Sequence, residues 1–126
     1  FANYTYLKGK ETTQNRITNQ DTITYSYLLR RPTHQLNMGF SAQFNTKLRF
    51  EISSRYASKR YDVGGYAAPD VELKSYMVLQ ANAQFTLNKN WRFFADLQNF
   101  TNTKYYEVYG FKTMPLNASI GAVFNW

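Results

Sequence analysis

The residues able to do chemistry are few, and their types point to binding rather than bond-making. His34 is the only histidine and the chain has no cysteine, so no His/Cys cluster with metal-ligand spacing can form. Glu51 and Asp96 lie in alternating stretches that also carry Arg49, Arg55 and Arg92. Two carboxylates can serve as general acid and base, but beside several arginines on polar faces they read as an ion-pair ladder. No glycine-rich phosphate loop or nucleophile motif occurs. The sequence therefore reads as that of a non-enzyme with no cofactor and no metal. Another kind of chemistry comes from Tyr25, Tyr27, Tyr61, Tyr66, Tyr106, Tyr109 and Phe111, broad apolar faces, most with polar tips, suited to gripping a large chelate or macrocycle. Arg30 and Arg31, with Lys59 and Arg60, would attract an anionic one. The same aromatic residues could equally pack loops together or join an interfacial belt.

Strands must position these groups. Leu116 to Trp126 alternates almost without a break: Leu116, Ala118, Ile120, Ala122, Phe124 and Trp126 on one side, Asn117, Ser119, Gly121, Val123 and Asn125 on the other. The same period runs through Phe1–Leu7, His34–Phe44, Lys47–Tyr56, Ser75–Leu87 and Trp91–Asn99. Between them, Lys8–Thr33 and Ala57–Lys74 read as long loops, and Asn99–Pro115 as a third. Asn45-Thr46 and Asn88-Lys89-Asn90 read as tight turns. Connections thus alternate long and short, as in transmembrane barrels with short periplasmic turns and long external loops. With the carboxy terminus in the periplasm, both short turns fall there and all the long loops fall outside.

Residue distribution fits a membrane wall. On the strands, the side bearing Leu, Ile, Met, Phe and Ala has no charge, while Arg49, Glu51, Arg55, Arg92 and Asp96 fall on the other. Phe44, Phe85, Trp91, Phe124 and Trp126 gather at the short-turn end, and Tyr4, Tyr6, Tyr56, Tyr76 and Tyr105 at the other, as two interfacial girdles would. Mean hydropathy is −0.55, which does not exclude spanning strands of about 9–11 residues. The net charge of +7 comes from scattered Lys and Arg without a dense basic run, which argues for rims near anionic lipid rather than nucleic acid. A soluble β-sandwich would share the alternation but explains the aromatic tiers less well. A passive porin would share strands and belts alike. Because the chain opens at Phe1 already in alternation, a fragment whose amino-terminal part lies elsewhere is expected. About six strands cannot close around a polar lumen, and an open edge in lipid leaves backbone groups unpaired.

Leu28–Leu36, Ser53–Tyr61 and above all Asp96-Leu97-Gln98-Asn99-Phe100-Thr101-Asn102-Thr103-Lys104-Tyr105-Tyr106-Glu107-Val108-Tyr109-Gly110-Phe111 resemble the end of TonB-dependent outer-membrane receptors, of the vitamin B12 and siderophore kind. Phe100-Thr101-Asn102-Thr103 and the setting of Pro115 depart slightly from the family's pattern. The resemblance implies an all-β fold: an antiparallel transmembrane β-barrel segment, about six C-terminal strands of a barrel of about 22 strands. Residues 1–126 would be the C-terminal part of that barrel, with plug and TonB-binding segment outside this chain. It implies active import of an iron-siderophore, haem, cobalamin or similar nutrient across the outer membrane of a Gram-negative cell. The implied partners are the rest of the barrel and the plug, outer-membrane lipid, and TonB-ExbB-ExbD through the absent amino-terminal part. The barrel assembly machinery would read Ile120, Ala122, Phe124 and Trp126. A surface lipoprotein is a further partner that the resemblance allows.

Overall fold

A computed structural model describes residues 1–126. Its strands are β1 (Ala2–Tyr6), β2 (Glu11–Gln14), β3 (Thr22–Tyr25), β4 (His34–Gln43), β5 (Leu48–Ala57), β6 (Arg60–Asp62), β7 (Val71–Leu73), β8 (Tyr76–Thr86), β9 (Trp91–Gln98) and β10 (Asn117–Phe124), with no helix among them. A 6-stranded antiparallel sheet runs β1-β4-β5-β8-β9-β10. The strand expectations hold to within a few residues at each end, and β10 stops at Phe124, short of Trp126.

Register carries the facing assignment across the whole sheet. Phe40, Ile52, Ala81, Leu97 and Ala118 are successive cross-strand partners, and so are Ser41, Glu51, Asn82, Asp96 and Ser119 in the adjacent row. A slip of one residue in any pair would move Glu51 or Asp96 into the apolar row. Asn82 Nδ2 donates to Asp96 Oδ1 at 2.7 Å, fixing that register on the polar face. Gly121 is part of the same fit, since Phe94 lies where a Cβ would stand. A larger residue there would have to displace the ring.

The apolar face has no second layer. Phe40 is 65% and Ile120 87% exposed, whereas in a sandwich such mid-strand residues form the core between sheets. The buried apolar cluster is instead Ala57, Tyr76 and Val78, with Tyr105 packed on it, at the long-loop rim. The wall is not closed within this chain: β1 and β10 are both edges.

Both short turns use one device. Asn45 Oδ1 accepts the Lys47 and Leu48 N–H groups, each at 2.8 Å, and Asn88 Oδ1 accepts those of Asn90 and Trp91 at 3.0 and 2.9 Å. Such Asx turns reverse the chain without glycine. Beside them the lower aromatic tier assembles, with Trp91 4.8 Å from Phe124 and 6.0 Å from Phe93 by ring centroid.

Two expectations are corrected. The first two long loops contain hairpins, β2–β3 and β6–β7. Both are largely polar, so neither shows the apolar alternation of a half-buried strand; in the first the signal was the β-propensity of the Thr, Ile and Tyr residues. The second correction concerns the upper girdle. Tyr4 pairs with Leu36, which pairs with Tyr56 on the apolar face, but Tyr76 pairs with Ala57 and shares the charged face with Val78. Its ring stacks on Tyr105 at 4.2 Å. Tyr76 and Tyr105 thus line the inner rim rather than the lipid belt, because strand parity outranks nearness to the strand end.

Candidate functional site

Antiparallel order brings all three long connections to one end of the wall, where buried carboxylates bind them to one another. Asp62, at the end of β6, is 1% exposed. Its Oδ1 accepts Arg30 Nε from the first loop at 2.7 Å and the Val63 N–H at 2.8 Å, while Oδ2 accepts the Tyr109 N–H of the third loop at 2.7 Å. One side chain therefore joins all three loops. Leu29 also bridges to Tyr61, and the Arg30 N–H donates to the Tyr61 carbonyl at 2.7 Å. Arg30 takes φ 59°, a left-handed conformation that costs a non-glycine residue on the order of 1 kcal/mol and that these bonds hold in place.

Asp70 is a second node. It accepts Arg16 Nη1, and the Tyr27 hydroxyl at 2.8 Å, while Arg16 Nη2 reaches Glu11 at 2.6 Å. Burial, helped by the bond to Asp70, pushes the Tyr27 hydroxyl up to about 12. Around this node Tyr27 stacks on Tyr61 at 4.1 Å and lies 5.7 Å from Tyr25, and the Arg16 guanidinium is 4.0 Å from the Tyr25 ring centre. Just before β6, Lys59 pairs with Glu72 of β7 at 3.0 Å.

The third loop is shaped by Asn99 and Asn102, both in the left-handed region at φ 49° and 51°. Buried Asn99 donates to the Thr103 and Met114 carbonyls and accepts the Thr103 N–H, and Asn102 Oδ1 accepts the Leu116 N–H at 3.1 Å. The loop then folds over the charged face. Glu107 Oε1 accepts Arg55 Nη2 at 2.7 Å and the Tyr76 hydroxyl at 2.8 Å, and Arg60 donates to the Tyr106 carbonyl.

Between the end of β7 and this loop lies an open cavity of about 590 Å³, lined by Lys74, Lys104 and Lys112 together with Tyr105, Tyr106 and Tyr109, and by one carboxylate, Glu72, whose charge is met by Lys59. Its chemistry is cationic and aromatic, matched to an anionic group with flat apolar surfaces.

The expected contact residues divide by position. Tyr25, Tyr27 and Tyr61 are half-buried in the stack between the first two loops. Tyr66, at 93%, and Phe111, at 71%, stand out in water, and Tyr106 and Tyr109 line the cavity. Arg30 is committed to Asp62, while Arg31 is exposed. Ile120, Ala122 and Phe124 share the apolar face of β10, and Trp126 lies beyond it. His34 Nδ1 sits 2.7 Å from the Tyr4 hydroxyl at the strand end. Asp62, Asp70, Glu107 and the lysines were not singled out from sequence, where each is one polar residue among many. Long-range pairing distinguishes the three carboxylates, and convergence on one cavity distinguishes the lysines.

Asp62 gives the cluster a pH dependence. Burial alone would raise its pKa, but the bonds from Tyr109, Arg30 and Val63 outweigh burial and hold it below its ordinary value of 3.8. A depressed carboxyl pKa contributes stability that is present above the ordinary value and lost as pH falls through the folded one. The loops should therefore stay locked at pH 5–7 (roughly the range of peak stability) and loosen only below about pH 4. Limited proteolysis by an acid-active protease across that interval would show it.

A family model described as TonB dependent receptor-like, beta-barrel, matches residues 1–100. The chain belongs to the TonB-dependent receptors. Family membership places this wall in the bacterial outer membrane, and the family is one of receptors and transporters rather than enzymes. Solved receptors share the fold. The FpvAI–pyocin S2 complex matches with TM-score 0.75 and 16% identity over 98% of this chain and 16% of that one. The ferric-catecholate import receptor Fiu of E. coli K12 matches in its open form with TM-score 0.66 and 18% identity, over 74% of this chain and 15% of that one. Its closed form gives TM-score 0.64 and 15% identity over 96% and 18%. This receptor chain thus spans less than a fifth of the solved chains it matches. No curated protein matches it significantly.

Proposed function

We propose that this chain is the C-terminal part of the barrel of an outer-membrane receptor that captures a scarce, large nutrient outside the cell and imports it with TonB-coupled energy. The observation that carries this reading is the gathering of the long loops, by Asp62 and Asp70, into one body beside a cationic, aromatic cavity at one end of a membrane wall. Lys74, Lys104 and Lys112 favour an anionic chelate, an iron-siderophore or haem, over a neutral cobalamin. Tyr66, Phe111 and Arg31 are free to add contacts from the loop surface. The carboxy terminus lies in the periplasm in this reading, and β1 and β10 pair with barrel strands outside this chain. A plug and a TonB-binding segment, also outside it, couple transport to TonB-ExbB-ExbD. Ile120, Ala122, Phe124 and Trp126 present the signal for the barrel assembly machinery, and the exposed loops offer the surface for a lipoprotein partner.

The test is uptake of radiolabelled iron by cells whose only receptor is the full-length protein. Ferric tris-catecholate, ferric hydroxamate and haem are supplied in turn, with and without a protonophore. Saturable uptake of one anionic chelate, abolished by the protonophore, is expected. Uptake that is linear in concentration and indifferent to the protonophore would make the protein a passive porin.

A further inference from the structure

We propose that Asp62 is the positioning residue of the ligand-contacting loops, setting Tyr109 at the cationic cavity and making the three loops respond to ligand as one body. The inference rests on the ligand-capture reading above, but its structural half stands without it. The Asp62 backbone pairs with Val71 of the cavity lining in the β6–β7 ladder, while its carboxylate reaches the lining through Tyr109, whose N–H it accepts at 2.7 Å. That bond fixes the backbone from which the Tyr109 ring is presented. From the same carboxylate Arg30 is held at 2.7 Å in its left-handed conformation, which a free loop would relax. Three donors converge on two oxygens, and each oxygen accepts from a different loop neighbour. An amide of the same volume has one accepting oxygen and presents N–H groups to the remaining donor. Asparagine therefore keeps the packing and loses the junction.

The junction also reaches the wall. Two residues before Tyr109, Glu107 is bound to Arg55 of β5 and Tyr76 of β8 on the charged face, and Arg60 of β6 holds the Tyr106 carbonyl, so the third loop is pinned to its fellow loops by Asp62 and Arg60 and to the barrel by Glu107. Releasing Asp62 leaves Arg60 and Glu107 holding residues 106 and 107, but frees the backbone at Tyr109 and removes the side chain that joins the third loop to the first. Ordering the loops beforehand lowers the entropy lost on binding, so the expected consequence is on affinity rather than on the transport step.

The experiment uses the full-length receptor in detergent, in a cysteine-free background, with spin labels at Gln20→Cys in the first loop and Phe111→Cys in the third. A narrow distance distribution is expected for the parent. Asp62→Asn should broaden it about twofold, as much as Asp62→Ala does. A parent-like distribution for Asp62→Asn would overturn the proposal, because it would show that volume and not acceptor geometry holds the loops. If either variant fails to fold, the parent alone decides: reversible broadening below about pH 4 is expected, and an unchanged distribution there counts against it. In cells, Asp62→Asn should raise the half-saturating concentration for ferric tris-catecholate uptake about tenfold with the maximal rate kept. A lowered maximal rate at unchanged half-saturation would overturn the positioning role. If the parent imports no ferric tris-catecholate, that choice of ligand fails, and the spin-label distances still decide the role of Asp62.

Discussion

Ile120→Arg is expected to abolish accumulation of the receptor in the outer membrane, whereas Ser119→Arg, one residue earlier, should leave most of it in place. Ile120 stands mid-strand in β10, pairs with Ala95 and is 87% exposed on a face whose neighbours are Ala118, Ala122 and Phe93. Near the bilayer midplane an arginine on such a face costs about 2–4 kcal/mol, and no carboxylate on that face could offset it. Ser119 points the other way and pairs with Asp96, next to Asn82 and Glu51, so an arginine there meets an acidic, wet surface. The readout is the heat-modifiable folded band in outer-membrane fractions. Equal losses for both variants would sink the facing assignment, since only facing separates two adjacent residues of one strand. The position also falls within the proposed assembly signal, so a signal effect must be distinguished from a lipid effect. Ile120→Asn, polar but uncharged, should retain more receptor than Ile120→Arg if lipid is the cause.

Much of the wall was legible because a period of two leaves nowhere else for the charges to go. Arg49, Glu51, Arg55, Arg92 and Asp96 fixed the polar face, and the register then ran Glu51, Asn82, Asp96 and Ser119 into one row. Asn45 and Asn88 announced both tight turns for the same reason that they make them: a side-chain oxygen two residues from the amides it accepts. The loop cluster was legible only as composition. Tyr25, Tyr27 and Tyr61 promised broad contact surfaces, yet much of that surface is spent on one another. Asp62 and Asp70 were invisible because their partners, Arg30, Tyr109, Arg16 and Tyr27, lie 32 to 54 residues away in pairings no local period encodes. Tyr76 shows the limit in a single residue. Its closeness to a strand end suggested a lipid belt, while its parity with Val78 put it inside.

Asp70→Ala is expected to undock the β2–β3 hairpin without unfolding the barrel. The Asp70 side chain is 3% exposed and Arg16 14%, so removing the carboxylate strands a guanidinium that water reaches poorly. Breaking one partner of a buried pair costs about 3–5 kcal/mol. Glu11 remains on Arg16 at 2.6 Å, which keeps the expected cost near the lower end, about 3 kcal/mol. The Tyr27 hydroxyl loses its acceptor as well. Because the wall strands share none of these bonds, the loss should be local: receptor abundance and heat-modifiable mobility stay as in the parent. Trypsin cleavage of intact cells at Lys10 and Arg16 should accelerate on the order of a hundredfold, as a 3 kcal/mol change in a local opening equilibrium requires. Glu11→Ala provides the contrast. Its side chain is 36% exposed, and removing a partly solvated partner should cost about 1 kcal/mol or less, with at most a fewfold change in cleavage. If both variants open the hairpin equally, the buried Asp70 contact does not carry the docking, and the two loops are held instead by the stack of Tyr27 on Tyr61.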